Sequence, residues 1–469
     1  MKLTKIATSV VAVIGAVAVG GSWYTGKQVE EKYHQLVEQA NSQLNVINAQ
    51  YGSNIAIKDV QIQRHFFSSD ATYSLDIEIA DEKLTFIGND KIHHGPLPLN
   101  RLAKFNLSPV LMSVENNVQA PEQLKKILGE QLGTGITNIH YSGKADGEFT
   151  LSSINFSDET AAVEVTPLKV EYSYDQGTKN TEGTVYLDNL KFISEEGFLQ
   201  LQGMSYDIQT GKQQGYENLG LGKGSAKIKS VEFQFQEAEQ QNAKLSQIKD
   251  IVIHGENALK GDRFISNGKL DASSFSIEGV ELGKWKMDMA YDFDAKLAND
   301  LIPAFSEPDA LENSETGEML LQLLAKSFKF DINNFSFEKD NGKFDLALLL
   351  NVASFDLQNL SNYDEIIKTL SPSKFTSNVN REYAEDIIRQ IAMVKEKLSE
   401  DEAKARAKQE VDTAFANAEF SGLRNVDGKS IGIELIAENG KLLLNGRELT
   451  ENEIQLALFA IMMGVGGSF

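Results

Sequence analysis

The sequence predicts an α+β fold made mainly of antiparallel β-hairpins that form a long curved sheet, with helices concentrated at the N-terminus and in the C-terminal third. Apolar and polar residues alternate with a period of two up to about residue 300, which is typical of strands with one buried and one solvated face. Apolar residues recur at three- and four-residue steps near the N-terminus and again after residue 300, which indicates helices. The chain has 469 residues and is 41% hydrophobic, a composition that excludes wholesale disorder.

The alternating pattern also places the expected turns. It is clearest at Leu75, Ile77 and Ile79; at Val170, Tyr172 and Tyr174; at Val231, Phe233 and Phe235; and at Met287, Met289, Tyr291 and Phe293. Asn-Gly pairs at residues 267–268, 341–342 and 439–440 lie between strand-like segments. Because Asn and Gly tolerate the positive φ of a type I′ turn, each pair predicts a tight hairpin.

Helical periodicity predicts a stalk helix over residues 28–49 and shorter helices over 121–132 and 309–325. The strongest helical block is 381–420, where Ser399 with Asp401 or Glu402 would end one helix and cap the next. Thr450 with Glu453 fits a capping box that begins a last helix. The apolar segment 454–465 is too short to span a bilayer, so it predicts a buried terminal helix, with a dimer or membrane-surface contact as the alternative.

The N-terminus has the composition of a membrane anchor. Lys2 and Lys5 precede an uncharged stretch over residues 6–24, which is close to the roughly 20 residues that a helix needs to cross a bilayer. The predicted anchor positions are Ile6, Val10, Val13, Ile14, Val17, Val19, Trp23 and Tyr24. A cleaved secretory signal ending near Ala16-Val17-Ala18 is the alternative, and a buried core helix is a third. The chain then divides into an anchor (1–26), a mainly antiparallel β body with the stalk helix (27–300) and a mixed α/β region (301–469).

The composition excludes several classes of protein. Against 67 Asp+Glu there are 45 Lys+Arg, so the formal net charge is -22, which argues against a nucleic-acid binder because phosphates require cations. The charge also argues against flat adsorption on an anionic bilayer, unless a basic patch is hidden in the average. The chain has no cysteine, which excludes disulfides, thiolate nucleophiles, zinc ribbons and iron–sulfur clusters.

No motif predicts catalysis, a cofactor or a metal site. His93 and His94 are adjacent, but neighbours on a strand point to opposite faces, and the other histidines are scattered. The segment 220–225 fails the Walker pattern because Lys223 is followed by glycine, so we expect a flexible hairpin connection there. There is no G-x-S-x-G nucleophile elbow, and 67 acidic residues make a chance pair of carboxylates uninformative. The sequence therefore predicts a protein that is not an enzyme.

The predicted sheet suggests a function through its shape. A long antiparallel sheet with one apolar face resembles a cradle for acyl chains. We expect aromatic stripes on successive strands at Phe328, Phe330 and Ile332 and at Phe335 and Phe337. The alternative is that these stripes pack against the C-terminal helices as ordinary core.

Four strings point to a known family: His94-Gly95-Pro96-Leu97-Pro98-Leu99 and residues 21–27, 66–69 and 439–446. Together they resemble the YdgA-like family of Gram-negative envelope proteins, a domain of unknown function, and the resemblance extends over nearly the whole chain. The family often has Phe at the position of Leu97. The resemblance implies a single-pass inner-membrane anchor with a C-terminal body in the periplasm, and it transfers no catalytic residue. A looser analogy of fold connects the chain with AsmA-like proteins, which are thought to carry or tune envelope lipids.

These observations predict a membrane-anchored periplasmic protein of unknown activity that binds lipid or an envelope partner without catalysis. A protein-interaction scaffold or regulator in the cell envelope is the alternative, and a hydrolase with unrecognised carboxylates is a third class. An open apolar groove would favour lipid, and a large external apolar patch would favour the scaffold. Two converging carboxylates with perturbed pKa values would favour the hydrolase. We expect no cofactor and no nucleic acid, and a homodimer is left open.

Overall fold

The structure, a computed structural model, describes residues 41, 44, 54–79, 82–175, 177–235, 244–304, 314–356, 367–370 and 372–454. The chain forms two compact units. Unit 1 comprises Met1–Leu245, Lys249–Glu256 and Asn299–Gly317, and unit 2 comprises Ser246–Ile248, Asn257–Ala298 and Glu318–Phe469. The division into 1–26, 27–300 and 301–469 stays a prediction.

Unit 1 is built mainly from strands. They are β1 (Asn54–Arg64), β2 (Ser68–Ile79), β3 (Glu82–His94), β4 (Met112–Gln119), β5 (Gln131–Ile139), β6 (Lys144–Leu151), β7 (Ile154–Ser157), β8 (Ala161–Val165), β9 (Leu168–Asp175), β10 (Asn180–Ser194), β11 (Gly197–Gln213) and β12 (Tyr216–Phe235). Its short helices are α1 (Leu99–Leu102), a 3₁₀ turn (Glu122–Leu124) and α2 (Lys125–Leu128).

Antiparallel hydrogen bonds join the strands of unit 1 in the order β1-β2-β3-β4-β5-β6-β9-β10-β11-β12. β8 also pairs with β10, and β7 pairs with β8. Side chains alternate between the two faces of the sheet, so residues opposite each other, such as Leu75 and Phe86, share a face. One face of β2 to β6 is therefore apolar and the other is polar.

The apolar face of unit 1 contains two buried clusters. The first includes Ile55, Leu75, Ile77, Phe86, Val118, Phe149 and Leu151, together with Leu44, Leu124 and Leu128 from helical segments. The second includes Ala71, Ile92, Met112, Val114, Ile139 and Ala145. Because Phe86, Ile92 and Ile139 are each 0% exposed, this part of the sheet has a closed core.

Strand β13 (Ser246–Lys260) is divided between the units, and the remaining strands belong to unit 2. They are β14 (Arg263–Ile277), β15 (Val280–Asp294), β16 (Phe328–Lys339), β17 (Gly342–Val352), β18 (Ser373–Asn380), β19 (Arg424–Val426), β20 (Ser430–Glu438), β21 (Lys441–Leu444) and β22 (Arg447–Glu448). The longer helices are α3 (Ala295–Ala304) and α4 (Ser314–Ala325), which are likewise divided between the units, and α5 (Arg381–Lys395) and α6 (Glu400–Ala416) in unit 2.

The pairing in unit 2 is also antiparallel, in the order β14-β15-β16-β17-β18-β20. β20 then pairs with β19 and β21, and β21 pairs with β22. Helix α5 leads into α6 through Ser399, whose hydroxyl accepts from Glu402 N at 3.4 Å while the Glu402 carboxylate accepts from Ser399 N at 3.0 Å. The predicted capping box is confirmed there, and Thr450 with Glu453 forms the second one.

The predicted α+β class is wrong. The described helices are short, the longest being α6 with 17 residues, and strands β16 to β22 continue far into the C-terminal third. Of the predicted stalk helix, Asn41 and Leu44 are described, and both are helical. The alternating pattern persists after residue 300 between the helical segments, and for this reason the fold is mainly an antiparallel sheet.

The membrane prediction requires a correction as well. Among the residues that the structure describes, no helix is both long enough and apolar enough to cross a membrane. A span needs about 20 apolar residues. The predicted transmembrane helix and the single-pass inner-membrane and periplasmic location are therefore not supported by the structure. The predicted anchor, residues 1–26 with Ile6 to Tyr24, lies outside the described residues.

Two of the three predicted Asn-Gly hairpins are confirmed. Asn439 and Gly440 join β20 to β21 with φ of 53° and 74°, the positive values of a tight turn. Asn341 and Gly342 lie at the connection of β16 to β17, where Gly342 opens the second strand.

The third predicted hairpin is wrong, because Asn267 and Gly268 lie inside β14 and both pair with β15. The chain leaves β14 instead at Glu278 and Gly279, where φ is 48° and 80°. Residues 220–225 likewise lie inside β12 rather than in a flexible connection. An Asn-Gly pair permits a turn, but the pairing of the neighbouring strand determines whether the turn forms.

Candidate functional site

The family-like string begins at the end of β3. His94 Nε2 lies 3.0 Å from Ser69 Oγ on the neighbouring strand β2. Burial lowers the pKa of His94, so its ring is neutral at pH 7. Ser69 is 0% exposed, and a substrate therefore cannot reach it. The pair stabilises the strand end and does not form a nucleophile–base site.

Gly95 allows two chain segments to approach closely. Its N–H donates to Leu111 O at 2.8 Å, and a Cβ at this position would lie 2.1 Å from Val110 O. Backbone atoms cannot move aside cheaply, so glycine alone fits here. Pro96 O accepts from Val110 N at 3.0 Å, which fixes the return of the chain toward β4.

Pro98 ends the irregular part of the string and precedes α1, and its carbonyl accepts from Arg101 N at 3.0 Å. Helix α1 lies on the polar face of unit 1. Arg101 Nη1 donates to Asn138 Oδ1 at 2.8 Å, and Asn100 Nδ2 donates to Ser113 Oγ at 3.0 Å. The string therefore positions α1 through its backbone, while Leu97 and Leu99 remain 41% and 54% exposed.

A polar groove of about 580 Å³ lies beside α1. Its lining includes Asn100, Arg101, Lys104, Asn138, Asp146, Glu148, Glu171, Glu182 and Thr184. Lys169 Nζ lies 3.3 Å from Glu148 and 2.7 Å from Glu171, so these two carboxylates share a cation. No local pattern in the sequence predicts this groove, because its side chains come from several strands and one helix.

His93 and His94 are neighbours on β3, and the other histidines that the structure describes lie elsewhere in the chain. His93 Nε2 lies 3.3 Å from Glu115 on the polar face, opposite to the direction of His94, as the strand alternation predicts. His65 pairs with Asp70 at 2.9 Å, and His140 with Asp146. No cluster of three or more metal-ligating side chains of the His, Cys, Asp or Glu type occurs among the described residues.

The apolar face of unit 1 encloses a carboxylate, that of Asp90, between its two clusters. Burial raises the pKa of Asp90 to about 7, although hydrogen bonds from the Asn116 side chain and the Asn117 backbone oppose this effect. Nearby, the Tyr172 hydroxyl lies 2.6 Å from Thr137 Oγ1. Burial likewise raises the pKa of Tyr172 to about 12. These groups are enclosed in the sheet, so they affect the stability of the fold and its dependence on pH, and they do not form an accessible site.

Unit 2 has a broad apolar surface on one face of its sheet, which we name the aromatic face. It consists of Trp285, Met287, Met289 and Tyr291 from β15; Phe330, Ile332, Phe335 and Phe337 from β16; Phe344, Leu346, Leu348 and Leu350 from β17; Phe375 and Val379 from β18; and Ile431, Ile433 and Leu435 from β20. Cross-strand register places all of them on a common side. Each is half-buried.

A β-bulge keeps the aromatic residues of β16 on this one face. Ile332 pairs with Leu348 and Phe335 pairs with Leu346, so two residues of β16 lie between these pairs and one residue of β17. Ile332 and Phe335 are three positions apart and would point to opposite faces of a regular strand. The extra residue of the bulge brings Phe335 back to the face of Ile332. The predicted aromatic stripes of residues 328–332 and 335–337 therefore belong to one strand, not to successive strands.

The aromatic rings contact one another across the strands. The ring centroids of Trp285 and Phe337 are 6.4 Å apart, and those of Phe335 and Phe344 are also 6.4 Å apart. Phe275 extends the group, with its ring 5.5 Å from that of Trp285. Offset and edge contacts of this kind hold the rings in place without closing the surface.

The reverse face of the same sheet is polar. Lys286 pairs with Glu338 at 2.7 Å across β15 and β16, and Lys374 pairs with Glu434 at 2.8 Å across β18 and β20. The sheet of unit 2 is therefore amphipathic over at least five adjacent strands. This is the pattern of an antiparallel sheet with one apolar and one polar face.

Helix α5 is attached at the ends of the strands in unit 2. The Tyr383 hydroxyl donates to Leu282 O at 2.9 Å, and Gln390 Oε1 accepts from Glu281 N at 2.8 Å. Lys339, the last residue of β16, pairs with Asp386. These contacts lie near the Trp285 end of the aromatic face. Tyr291 and Leu350, which are half-buried, lie at the other end.

Comparisons with known proteins agree on the family. The family model described as bacterial protein of unknown function (DUF945) matches residues 1–452. Protein YdgA of Escherichia coli (strain K12) is 24% identical, with 98% of this chain and 97% of that protein covered. The uncharacterized protein YihF of the same organism is 21% identical over 96% of this chain and 98% of its own length.

A shorter match is closer in sequence. An uncharacterized protein of Haemophilus influenzae (strain ATCC 51907 / DSM 11121 / KW20 / Rd) is 36% identical, over 24% of this chain and 31% of that protein. No solved structure matches the chain significantly. The resemblance to the YdgA-like family is confirmed, and the chain belongs to the DUF945 family of bacterial proteins, whose function is unknown.

Proposed function

We propose that this protein binds the acyl chains of a lipid on the aromatic face of unit 2, without catalysing a reaction. The observation that carries the proposal is that this broad apolar face is only partly buried. Its Phe, Trp, Leu, Ile and Met side chains come from five adjacent strands, and all of them are half-buried. An apolar surface of this extent marks a binding site more often than a free surface, because its exposure to water is unfavourable.

The contrast with unit 1 supports this interpretation. There the apolar side of the sheet is covered, and Phe86 and Ile92 are 0% exposed. In unit 2, the residues at the centre of the corresponding side, such as Leu348 and Phe335, retain solvent contact. Each square ångström of apolar surface removed from water contributes about 25 cal/mol, so an occupant of this face would gain substantial free energy.

The chemistry of the aromatic face favours an acyl chain. Its residues offer no charge, and an acyl chain requires none because it has no hydrogen-bonding group. The cations and carboxylates of the sheet, such as Lys286 and Glu338, are directed to the reverse face. The absence of carboxylates from the aromatic-face residues also supports binding rather than acid–base chemistry.

Trp285 provides a direct test, because it belongs to the aromatic face. In the full chain, Trp23→Phe leaves Trp285 as the single tryptophan. A monomeric fatty acid brominated along its chain should quench the fluorescence of Trp285 in a saturable way. A non-brominated fatty acid should displace the probe and restore the emission. Absence of quenching would contradict acyl-chain binding.

Leu348 and Leu349 provide a matched pair of variants. Leu348 lies in the middle of the aromatic face opposite Ile332 and Phe375, whereas Leu349 lies on the reverse face opposite Asp331 and Lys374. Leu348→Glu should weaken quenching by roughly tenfold or more, because a charge would be buried under the acyl chain. Leu349→Glu should bind like the parent chain. Equal affinities in the two variants would count against the proposal, and circular dichroism shows whether each has folded.

A further inference from the structure

Three connections meet at one end of the unit 1 sheet: residues 64–68, 94–111 and 139–144. Backbone hydrogen bonds join them, since His94 N donates to Phe67 O at 2.9 Å and Leu111 N donates to Ile139 O at 2.7 Å. We name this end the loop tip. It borders the groove through Asn100, Arg101 and Lys104, and it lies outside the aromatic face.

The loop tip exposes large apolar side chains. Phe105 is 92% exposed, Phe66 86%, Leu107 68%, Phe67 61%, Tyr141 60%, Leu99 54% and Leu97 41%. Phe66 and Phe67 contact each other edge to face, with ring centroids 4.5 Å apart, instead of packing into the core. Single exposed apolar residues are ordinary, but a group of seven at one end of a sheet indicates a contact surface.

The charge of the loop tip is opposite to that of the chain. The 24 residues 91–114 contain no Asp or Glu, in a chain of net charge -22. Arg64 and Lys104 are exposed there. Of the nearby acids, Asp70 is paired with His65 at 2.9 Å, and Asp146 is paired with His140. The basic patch that the average charge conceals is therefore located at this end, together with the exposed aromatic residues.

We propose that the loop tip docks on the surface of an anionic lipid bilayer. Phe66, Phe105 and Leu107 would enter the boundary between headgroups and acyl chains, and Arg64 and Lys104 would lie among the anionic headgroups. Apolar residues combined with cations are the chemistry of interfacial membrane binding. The acidic remainder of the chain would be repelled by the same surface, so the charge distribution orients the molecule with this end toward the lipid.

This inference goes beyond acyl-chain binding and does not rest on it, because it uses a different surface in the other unit. The two can be tested separately. Trp285 reports on the aromatic face, and a label at the loop tip reports on docking. A chain that docks but does not quench at Trp285 would overturn the function proposed above and leave docking intact, and the reverse result would overturn docking.

The absence of cysteine allows one label at one chosen position of the full chain. Phe105→Cys carries an environment-sensitive fluorophore at the loop tip, and Phe420→Cys carries it at a residue of unit 2 that is 97% exposed. Vesicles of phosphatidylcholine with phosphatidylglycerol should increase the emission at position 105 and leave that at position 420 unchanged. Vesicles of phosphatidylcholine alone should have a much weaker effect. Equal responses at both positions, or none at position 105, would overturn docking.

Charge-reversal variants test the electrostatic contribution to docking. Starting from the Phe105→Cys chain, Lys104→Glu and Arg64→Glu should each weaken the response by roughly fivefold or more. Added salt should weaken it further. Lys408→Glu, on the exposed side of α6, is the control and should leave the response unchanged. If the label at position 105 responds to protein concentration without vesicles, a second copy of the chain occupies the tip, and the lipid proposal is wrong.

Discussion

Asp90 accepts a hydrogen bond from the side chain of Asn116 inside the apolar face of unit 1, while its Oδ1 has no hydrogen-bond partner. A fully enclosed carboxylate with an unpartnered oxygen is costly when it is ionised. The protonated form avoids this cost, and the pKa of Asp90 is accordingly raised to about 7. This group links the stability of the unit 1 sheet to pH.

Asp90→Asn should change how stability depends on pH. In the unfolded chain Asp90 loses its proton near 3.8, and in the folded chain near 7, so between these values the folded state holds an extra proton. The stability contributed by this proton is complete below 3.8 and is lost as the pH rises through 7, at up to roughly 1.4 kcal/mol per pH unit. Asn cannot ionise, so the variant should be more stable than the parent chain at pH 8 and similar at pH 4.

The measurement is chemical denaturation across this pH range. Asp188→Asn on β10 is the control, because Asp188 is exposed and the same substitution there should leave the pH profile of the parent chain unchanged. If Asp90→Asn were less stable than the parent at pH 8 and kept its slope, Asp90 would be ionised in the folded protein, contrary to its enclosure.

Gly95→Ala should destabilise the end of β3. A Cβ at residue 95 would lie 2.1 Å from Val110 O and 2.4 Å from Leu111 O, so the backbone of one segment must shift. We expect a loss of about 2–4 kcal/mol in the free energy of unfolding. Denaturation followed by circular dichroism measures it. Gly220→Ala, where nothing lies within 4 Å of the added Cβ, should cost far less. Similar losses in both variants would mean that the close approach is relieved in solution.

Two other glycines should respond to alanine with opposite signs. Gly440 has φ of 74° in the β20–β21 turn, where alanine is strained, so Gly440→Ala should cost about 1 kcal/mol. Gly317 lies in helix α4 with open space around its Cβ position, so Gly317→Ala should stabilise the chain by about 0.5–1 kcal/mol. Thermal unfolding of both variants beside the parent tests the pair. A stabilised Gly440→Ala would rule out the positive-φ turn.

Asp386 holds a group of cations and amides between α5 and the sheet. Burial alone would raise its pKa, but hydrogen bonds from Lys339 and Arg389 outweigh burial and lower the pKa below its ordinary value. Gln390 Nε2 also donates to it, at 2.9 Å. Asp386→Ala leaves the partly buried Lys339 without its carboxylate partner and should cost roughly 1–3 kcal/mol. Because the folded pKa is lowered, this contribution is present above 3.8 and is lost as the pH falls through the folded pKa.

A double-mutant cycle checks this expectation. Its variants are Lys339→Met, Asp386→Ala and the two together, and the double variant should recover most of the loss of Asp386→Ala, since neither charge of the pair then remains. The exposed pair of Arg406 and Glu396 is the comparison, and Glu396→Ala should change the free energy of unfolding by less than about 1 kcal/mol. Additive losses at Lys339 and Asp386 would show that the two side chains do not interact.

Much of the local structure could be predicted from the sequence. Ser399 with Glu402 caps α6, and Asn439 with Gly440 forms the turn into β21, as expected. These features depend on residues a few positions apart, so their chemistry is visible in a short stretch of sequence. Asn267 shows the limit, because its turn chemistry is present but pairing with β15 keeps it in a strand.

Less of the candidate sites than of the local structure could be predicted from the sequence. The aromatic residues of β16 were recognised as a stripe, but the bulge between Ile332 and Phe335 and the half-burial of their face were not. The loop tip combines residues that are up to about 75 positions apart, such as Phe66 and Tyr141, and no local pattern joins them. The groove beside Arg101 was missed for the same reason.

The sequence by itself determined the strand alternation, the helix caps, most of the tight turns and the membership of the family, because each is recorded in neighbouring residues or in the whole chain read in order. The tertiary structure alone decided which apolar face is closed over Phe86 and which stays half-buried around Leu348. It also decided that Asp90 is enclosed and that Phe105 is not. Burial depends on what the rest of the chain brings to a surface, and that information is not contained in any short stretch of it.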